Sequence, residues 1–190
     1  MSFERDLLRE VNDLRRNPCA YADKILKNKK YFEANSKVWK QPKSSYAIKT
    51  EEGPAAFDEA ADFLKNKAMS RNELDPSKAL TKIATDFLHE YQKDPMANVE
   101  LEGVVSKYGK FTGYFRRLIQ LGATTPEFVV ISLVVGDGDI TRGYRDALLA
   151  ENLNKIGIAH GDQKDYKNIS VIVACNDFKN EVDSNDNIDY

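Results

Sequence analysis

Lys155-Ile-Gly-Ile-Ala-His-Gly161, followed eight residues on by Ile169-Ser-Val-Ile-Val-Ala-Cys175, is the stretch that sets the fold class. The second run is apolar at successive positions, as a strand covered on both faces requires. The first run, Ile156 to His160, is short, apolar and partly β-branched. The polar residues from Gly161 to Asn168 between them predict a hairpin connection. The chain therefore closes on an antiparallel pair whose second member lies in the middle of a sheet.

Upstream of this pair the apolar spacing is helical. Phe3, Leu7, Leu8, Val11 and Leu14 predict a helix to Arg16, with Ser2 as its cap. Asn17-Pro18 breaks it and opens a second short helix carrying Tyr21, Ile25 and Leu26. From Lys29 to Gly53 the periodicity is lost. This stretch is Lys-rich and holds Pro42, yet Trp39 and Tyr46 predict a long ordered loop, not a linker. Phe57, Ala60, Ala61 and Leu64 mark a helix over Ala55–Lys67. Asp75-Pro76 reads as a cap followed by a first-turn proline, opening a helix with Ala79, Leu80, Ile83, Ala84, Phe87, Leu88 and Tyr91 on one face. Tyr114 to Leu121 reads as a strand. Thr125-Pro126 starts a further helix, and Gly136-Asp137-Gly138-Asp139 is a turn. Helices first, then a mixture, then a hairpin, make an α+β class and not a doubly wound parallel sheet.

Apolar residues at 42% and charged residues at 31% are ordinary for a soluble globular protein. The net charge of −2 gives no overall pull on nucleic acid. The start of the chain does not read as a secretory signal, and no apolar stretch approaches the roughly 20 residues that span a bilayer. Two cysteines, Cys19 and Cys175, form no disulfide framework and are expected to be reduced. The reading from these features is an intracellular, cytoplasmic chain. The expected organisation is one domain over 1–179, with a Lys-rich insertion at about 29–53, and an acidic polar tail over 180–190 whose composition is that of a disordered segment.

Three pieces of the chain, in order, carry a resemblance. Glu10-Val-Asn-Asp-Leu-Arg15 is followed by Pro18 and Tyr21-Ala22. Gly53-Pro-Ala-Ala56 and Phe63-Leu64-Lys65 lead to Asp75-Pro76 and Ile83-Ala84. Asp139-Ile-Thr-Arg-Gly-Tyr-Arg145 comes ten residues before Lys155-Ile-Gly-Ile-Ala-His-Gly161. Together they resemble the CAP superfamily of SCP/PR-1-like and cysteine-rich secretory proteins, most of all its microbial and protist members without disulfides. The resemblance implies a three-layer α-β-α sandwich.

Members of that family often carry two His and two acidic residues that can hold zinc or another divalent ion. Carried onto this chain, the first His position is Phe87 and the second, in the middle of the family's RGHR turn, is Tyr144. The first acidic position becomes Arg117, with Leu118 beside it, and the last falls near Gly136, with Asp137 next to it. Phe offers no lone pair and Arg is a fixed cation, so no metal and no cofactor are expected. His89, two positions from Phe87, should face away from it. His160 is expected to pack or to cap a turn, and neither His has a Ser or Cys at a spacing that argues for a triad. The substituted cleft would be aromatic and cationic, with Phe87, Arg117, Arg142, Tyr144 and Arg145 as candidate binding residues. Against this stands the reading of Arg142 and Arg145 as fold-holding residues, since the family turn carries Arg at both places.

The expected function is accordingly non-enzymatic: a binding or structural protein whose partners are other proteins of an intracellular assembly, cytoskeletal or ciliary in one version. The lysines near 27–30 read mostly as a solvated face, and otherwise as a dock for an acidic surface. Nucleic acid is not an expected partner. A lipid or small-anion binder is the alternative, and a hydrolase using a rearranged site the second alternative.

Overall fold

A computed structural model describes residues 2–42, 44 and 46–180, Asn180 by its backbone alone. In chain order the elements are α1 (Phe3–Arg16), α2 (Pro18–Asn28), a 3-10 turn (Lys29–Tyr31), β1 (Val38–Trp39), β2 (Ile48–Lys49), α3 (Pro54–Asn66), β3 (Asp75–Pro76), α4 (Lys78–Lys93), α5 (Leu101–Val105), β4 (Gly109–Leu121), α6 (Pro126–Val135), α7 (Gly143–Leu148), β5 (Lys155–Gln163) and β6 (Lys167–Asn180). The acidic segment from residue 181 onward lies outside the described residues. Helices and sheets together make the α+β class read from the sequence. Two compact units form. One takes the chain to Leu8, Glu73–Ala123 and the chain from Glu151; the other takes Arg9–Asn72 and Thr124–Ala150.

The first unit is a four-stranded sheet in the order β3-β5-β6-β4. The expected hairpin is β5–β6, antiparallel, with Ile158 opposite Ile172. β4 runs antiparallel along the other side of β6, and begins at Gly109, five residues before the strand expected from Tyr114. β6 is thus central, which explains its apolar residues at successive positions. Ile169, Val171, Val173 and Cys175 join the cluster formed with α4, while Ser170, Ile172 and Ala174 on the other face are buried too. The α4 stripe from Ala79 to Tyr91 is buried as its spacing predicts. Each Leu, Ile or Val so buried contributes about 1.5–3 kcal/mol.

The start of α4 differs from the sequence expectation. Its cap is Ser77, whose hydroxyl accepts from the Leu80 N–H at 3.4 Å, and Asp75-Pro76 lies outside the helix as β3, parallel to β5. A proline holds an extended φ as readily as a first-turn one, and here the carbonyls of Asn154 and Ile156 take up the Asp75 and Ser77 N–H groups. Gly157 on β5 lets the sheet approach α4 backbone to backbone: a Cβ there would sit 2.1 Å from the Leu80 carbonyl carbon.

The second unit is helical with one small hairpin, β1–β2, which pairs Val38 with Lys49 and Trp39 with Ile48. Within the stretch expected as an ordered loop, Trp39 is 3% exposed. Its ring meets Phe57 and Phe128 edge-on at 5.2 and 5.1 Å, and its indole N–H donates to the Asn28 carbonyl. Asn17 and Thr125 cap α2 and α6, each followed by a first-turn proline. α6 is β-branched yet helical, since seven of its ten residues are buried and packing overrides propensity. Gly136, at φ 58°, closes it in the left-handed region.

Candidate functional site

The five candidate residues divide between the two units. Phe87 and Arg117 belong to the first; Arg142, Tyr144 and Arg145 belong to the second.

Phe87 and Arg117 are brought together. Phe87 is fully buried, and the Arg117 guanidinium lies over its ring at 4.6 Å and near Tyr91 at 5.6 Å. The same guanidinium donates to the Val99 carbonyl at 2.8 Å. At the positions where the sequence resemblance implied a metal-ligating His and acid, this chain has a cation–π stack, an interaction worth about 0.5–2 kcal/mol. His89 is exposed, on the other side of α4 from buried Phe87, as the helical angle predicts. Arg116 is also exposed, stacked over the Tyr114 ring.

Arg142 and Arg145 are anchored by carboxylates that the sequence did not single out. Arg145 is 1% exposed. Its two terminal nitrogens donate to the Glu59 carboxylate at 2.8 and 2.5 Å, its Nε donates to the Val134 carbonyl at 2.7 Å, and its guanidinium lies over the Phe63 ring. Arg142, in the left-handed region at φ 51°, makes a second fork onto Glu52 at 2.7 Å through both nitrogens and also donates to the Gly136 carbonyl. The Glu52 carboxylate accepts the Gly138 N–H as well. The Arg142 hydrogen bonds, then that backbone donor, hold the Glu52 carboxyl down to about 2. The Arg145 hydrogen bonds lower Glu59 in the same way.

The turn from Gly136 to Asp139 is braced just as densely. Asp137 accepts the N–H groups of Glu51 and Glu52, and Asp139 accepts those of Thr141 and Gly143. Asp137, the one acidic residue left beside the family's metal positions, is therefore occupied with backbone donors. Tyr144, in the second His position, is 38% exposed. In the RGHR-like turn, Arg142 and Arg145 are thus both engaged by carboxylates of the same unit.

Arg15 is a further structural cation that only the structure reveals. It is fully buried and donates to the carbonyls of Asn72, Leu148 and Ala150. It thereby takes up carbonyls at the end of α7, where a positive charge is favoured. Burial, with Arg71 nearby, lowers it to about 10, still a cation at neutral pH.

The remaining reactive side chains differ in exposure. Burial pushes the Cys175 thiol up to about 12. Cys19, in contrast, is exposed, and both thiols are free. The sequence offered no partner for His160, but the β5–β6 register sets it opposite Ser170, with Nδ1 and Oγ 2.9 Å apart. Ser170 is 1% exposed and the Phe3 ring stacks on the imidazole at 3.6 Å. Burial lowers the His160 pKa, which keeps the ring neutral. Among the described residues no group of three or more His, Cys, Asp or Glu is placed to hold a metal ion, and no helix is long and apolar enough to cross a membrane.

No protein-family profile and no curated protein matches this sequence. The solved structures that resemble its backbone include two bacterial proteins. One is an outer surface protein from Borrelia burgdorferi, 17% identical, over 58% of this chain and 80% of that one, with a TM-score of 0.46. The other is a cysteine-rich secretory protein from Staphylococcus aureus, 14% identical, over 70% of this chain, with a TM-score of 0.44. This chain spans 44% of the length of the staphylococcal protein. Likenesses at this level are of backbone path and say nothing about activity.

Proposed function

We propose that this chain is a CAP-type binding protein without catalytic chemistry, one that contributes to an assembly by holding other proteins. The observation that carries the reading is how the substituted positions are spent. Both guanidinium forks of the RGHR-like turn are closed on Glu52 and Glu59. Arg117 covers Phe87. An ionised carboxylate held low by an arginine has no proton to give at neutral pH, and a paired guanidinium has none to take. The same pairing argues against a small-anion site at this turn, because its arginine donors are already engaged.

The test has two arms. Calorimetric titration of the full chain with zinc should show no site tighter than about micromolar. Native cells fractionated in non-ionic detergent should retain the chain in large complexes. A tight zinc site, or a chain recovered only as a free monomer, would refute the reading.

A further inference from the structure

Charge is unevenly spread along this chain. Between residues 24 and 50 there are eight lysines, no arginine and one acid, Glu33. That segment carries +7 against −2 for the whole chain, leaving −9 on the rest. Part of this excess is neutralised locally. Lys24 pairs with Glu10 and Lys29 with Asp58; Lys37 keeps its charge, donating to the uncharged Glu51 carbonyl. Lys30, Lys40 and Lys49 are exposed and meet no carboxylate among the described residues.

Lys40 and Lys49 share one face of the hairpin, and Lys30 adjoins it through Tyr31. Trp39 points into the core, so its neighbours Val38 and Lys40 alternate outward, and Lys49 sits directly opposite Val38 across the hairpin. The Lys40 N–H donates to the Tyr31 carbonyl, and the Lys30 ammonium lies 4.9 Å over the Tyr31 ring. The strip therefore runs from the 3-10 turn across β1 to β2 on a base fixed by Trp39.

We infer that this strip is a docking surface for an acidic polypeptide segment. The reading of the chain as a binding protein underlies the inference, and the chemistry of the strip selects the partner. Lysine ammoniums are point charges without the planar fork that suits phosphate. The indole beneath them is buried, so it offers no platform for bases. None of the large exposed apolar side chains lies between residues 24 and 49, so the strip has no wedge to enter a bilayer. A row of ammoniums on a rigid base matches a run of carboxylates, and binding of this kind is salt-sensitive.

The test uses the full chain and a fluorescein-labelled decaglutamate, read by anisotropy at about 50 mM salt. The wild type should bind, and binding should weaken as salt rises. The triple variant Lys30→Glu/Lys40→Glu/Lys49→Glu should bind at least about tenfold more weakly. The equally charged control Lys78→Glu/Lys82→Glu/Lys164→Glu should stay within about twofold of wild type, all three of its sites being exposed. Replacing the strip lysines by arginine should retain binding.

Equal loss in the two triple variants would refute the strip, since only net charge would matter. Tighter binding to labelled single-stranded DNA, or to phosphatidylserine vesicles, through the same lysines would replace the partner proposed. Residues 181–190 carry four acids and no base. A variant with those acids as amides that binds decaglutamate more tightly would make the chain itself the occupant and overturn an external one. Absence of decaglutamate binding ends this inference and leaves the zinc and fractionation tests unaffected.

Discussion

Replacing Arg145 by Met should cost the protein stability, and the size of the loss separates a fold-holding arginine from a ligand-binding one. The side chain is 1% exposed, so a methionine of similar length keeps much of its packing. What is lost is polar. The Val134 carbonyl, near the end of α6, loses its Nε donor. A buried acceptor left unpaired costs about 1–3 kcal/mol. The stack on Phe63 goes as well, worth about 0.5–2 kcal/mol. The fork onto Glu59 contributes less than its geometry suggests, because the Glu59 side chain is 46% exposed and water can replace the arginine. For so exposed a partner about 0–1 kcal/mol is appropriate. Against these stands the desolvation of the guanidinium, which Met does not pay. The expected net loss is about 3 kcal/mol. With a urea dependence of about 2 kcal/mol per molar, the unfolding midpoint should fall by roughly 1.5 M. Equilibrium urea unfolding followed by circular dichroism reads this directly. Arg145→Lys should recover only a fraction, since an ammonium cannot span Glu59 and Val134 together. A midpoint within about 0.3 M of wild type for Arg145→Met would refute the assignment and return Arg145 to the set of available ligand-binding groups.

Gly157→Ala should destabilise by more than about 3 kcal/mol or abolish soluble expression, because its Cβ would lie 2.1 Å from the Leu80 backbone; a melting temperature near wild type would show that β5 and α4 are not in that contact. In native protein at pH 8 only Cys19 should react with a thiol reagent, with Cys175 reacting after unfolding; two equivalents released from folded protein would contradict the burial of Cys175. The paired carboxylates fix the sign of the acid response. Both Glu52 and Glu59 are depressed in the folded protein, so their contribution is present above the ordinary carboxylate pKa near 4.5 and is lost as pH falls toward the folded value, about 2 for Glu52. Melting temperature measured from pH 6 to 2 should therefore fall more steeply for wild type than for Glu52→Gln/Glu59→Gln, and parallel curves would mean the forks add nothing.

Much of the local structure was legible in order along the chain. Asn17-Pro18 and Thr125-Pro126 announced two helix starts because capping is settled within three or four residues. The stripe from Ala79 to Tyr91 and the two-faced apolar run from Ile169 to Cys175 announced a helix and a central strand, because side-chain period follows from backbone geometry alone. The same local logic misplaced the start of α4. Asp75-Pro76 has the composition of a cap, but pairing with β5 decided its conformation, and that pairing joins residues 80 apart.

The candidate site was legible as residues and not as chemistry. The sequence put Phe87, Arg117 and Tyr144 where ligands were expected and left Arg142 and Arg145 open between binding and support. Their carboxylate partners, Glu52 and Glu59, lie 90 and 86 residues away, and nothing in their own neighbourhoods marks them as partners. Likewise Ser170 faces His160 only through the strand register. Periods, caps and turns are properties of adjacent residues, so the sequence determined them. Which charge neutralises which is a matter of distance through space, and only the folded chain sets that distance.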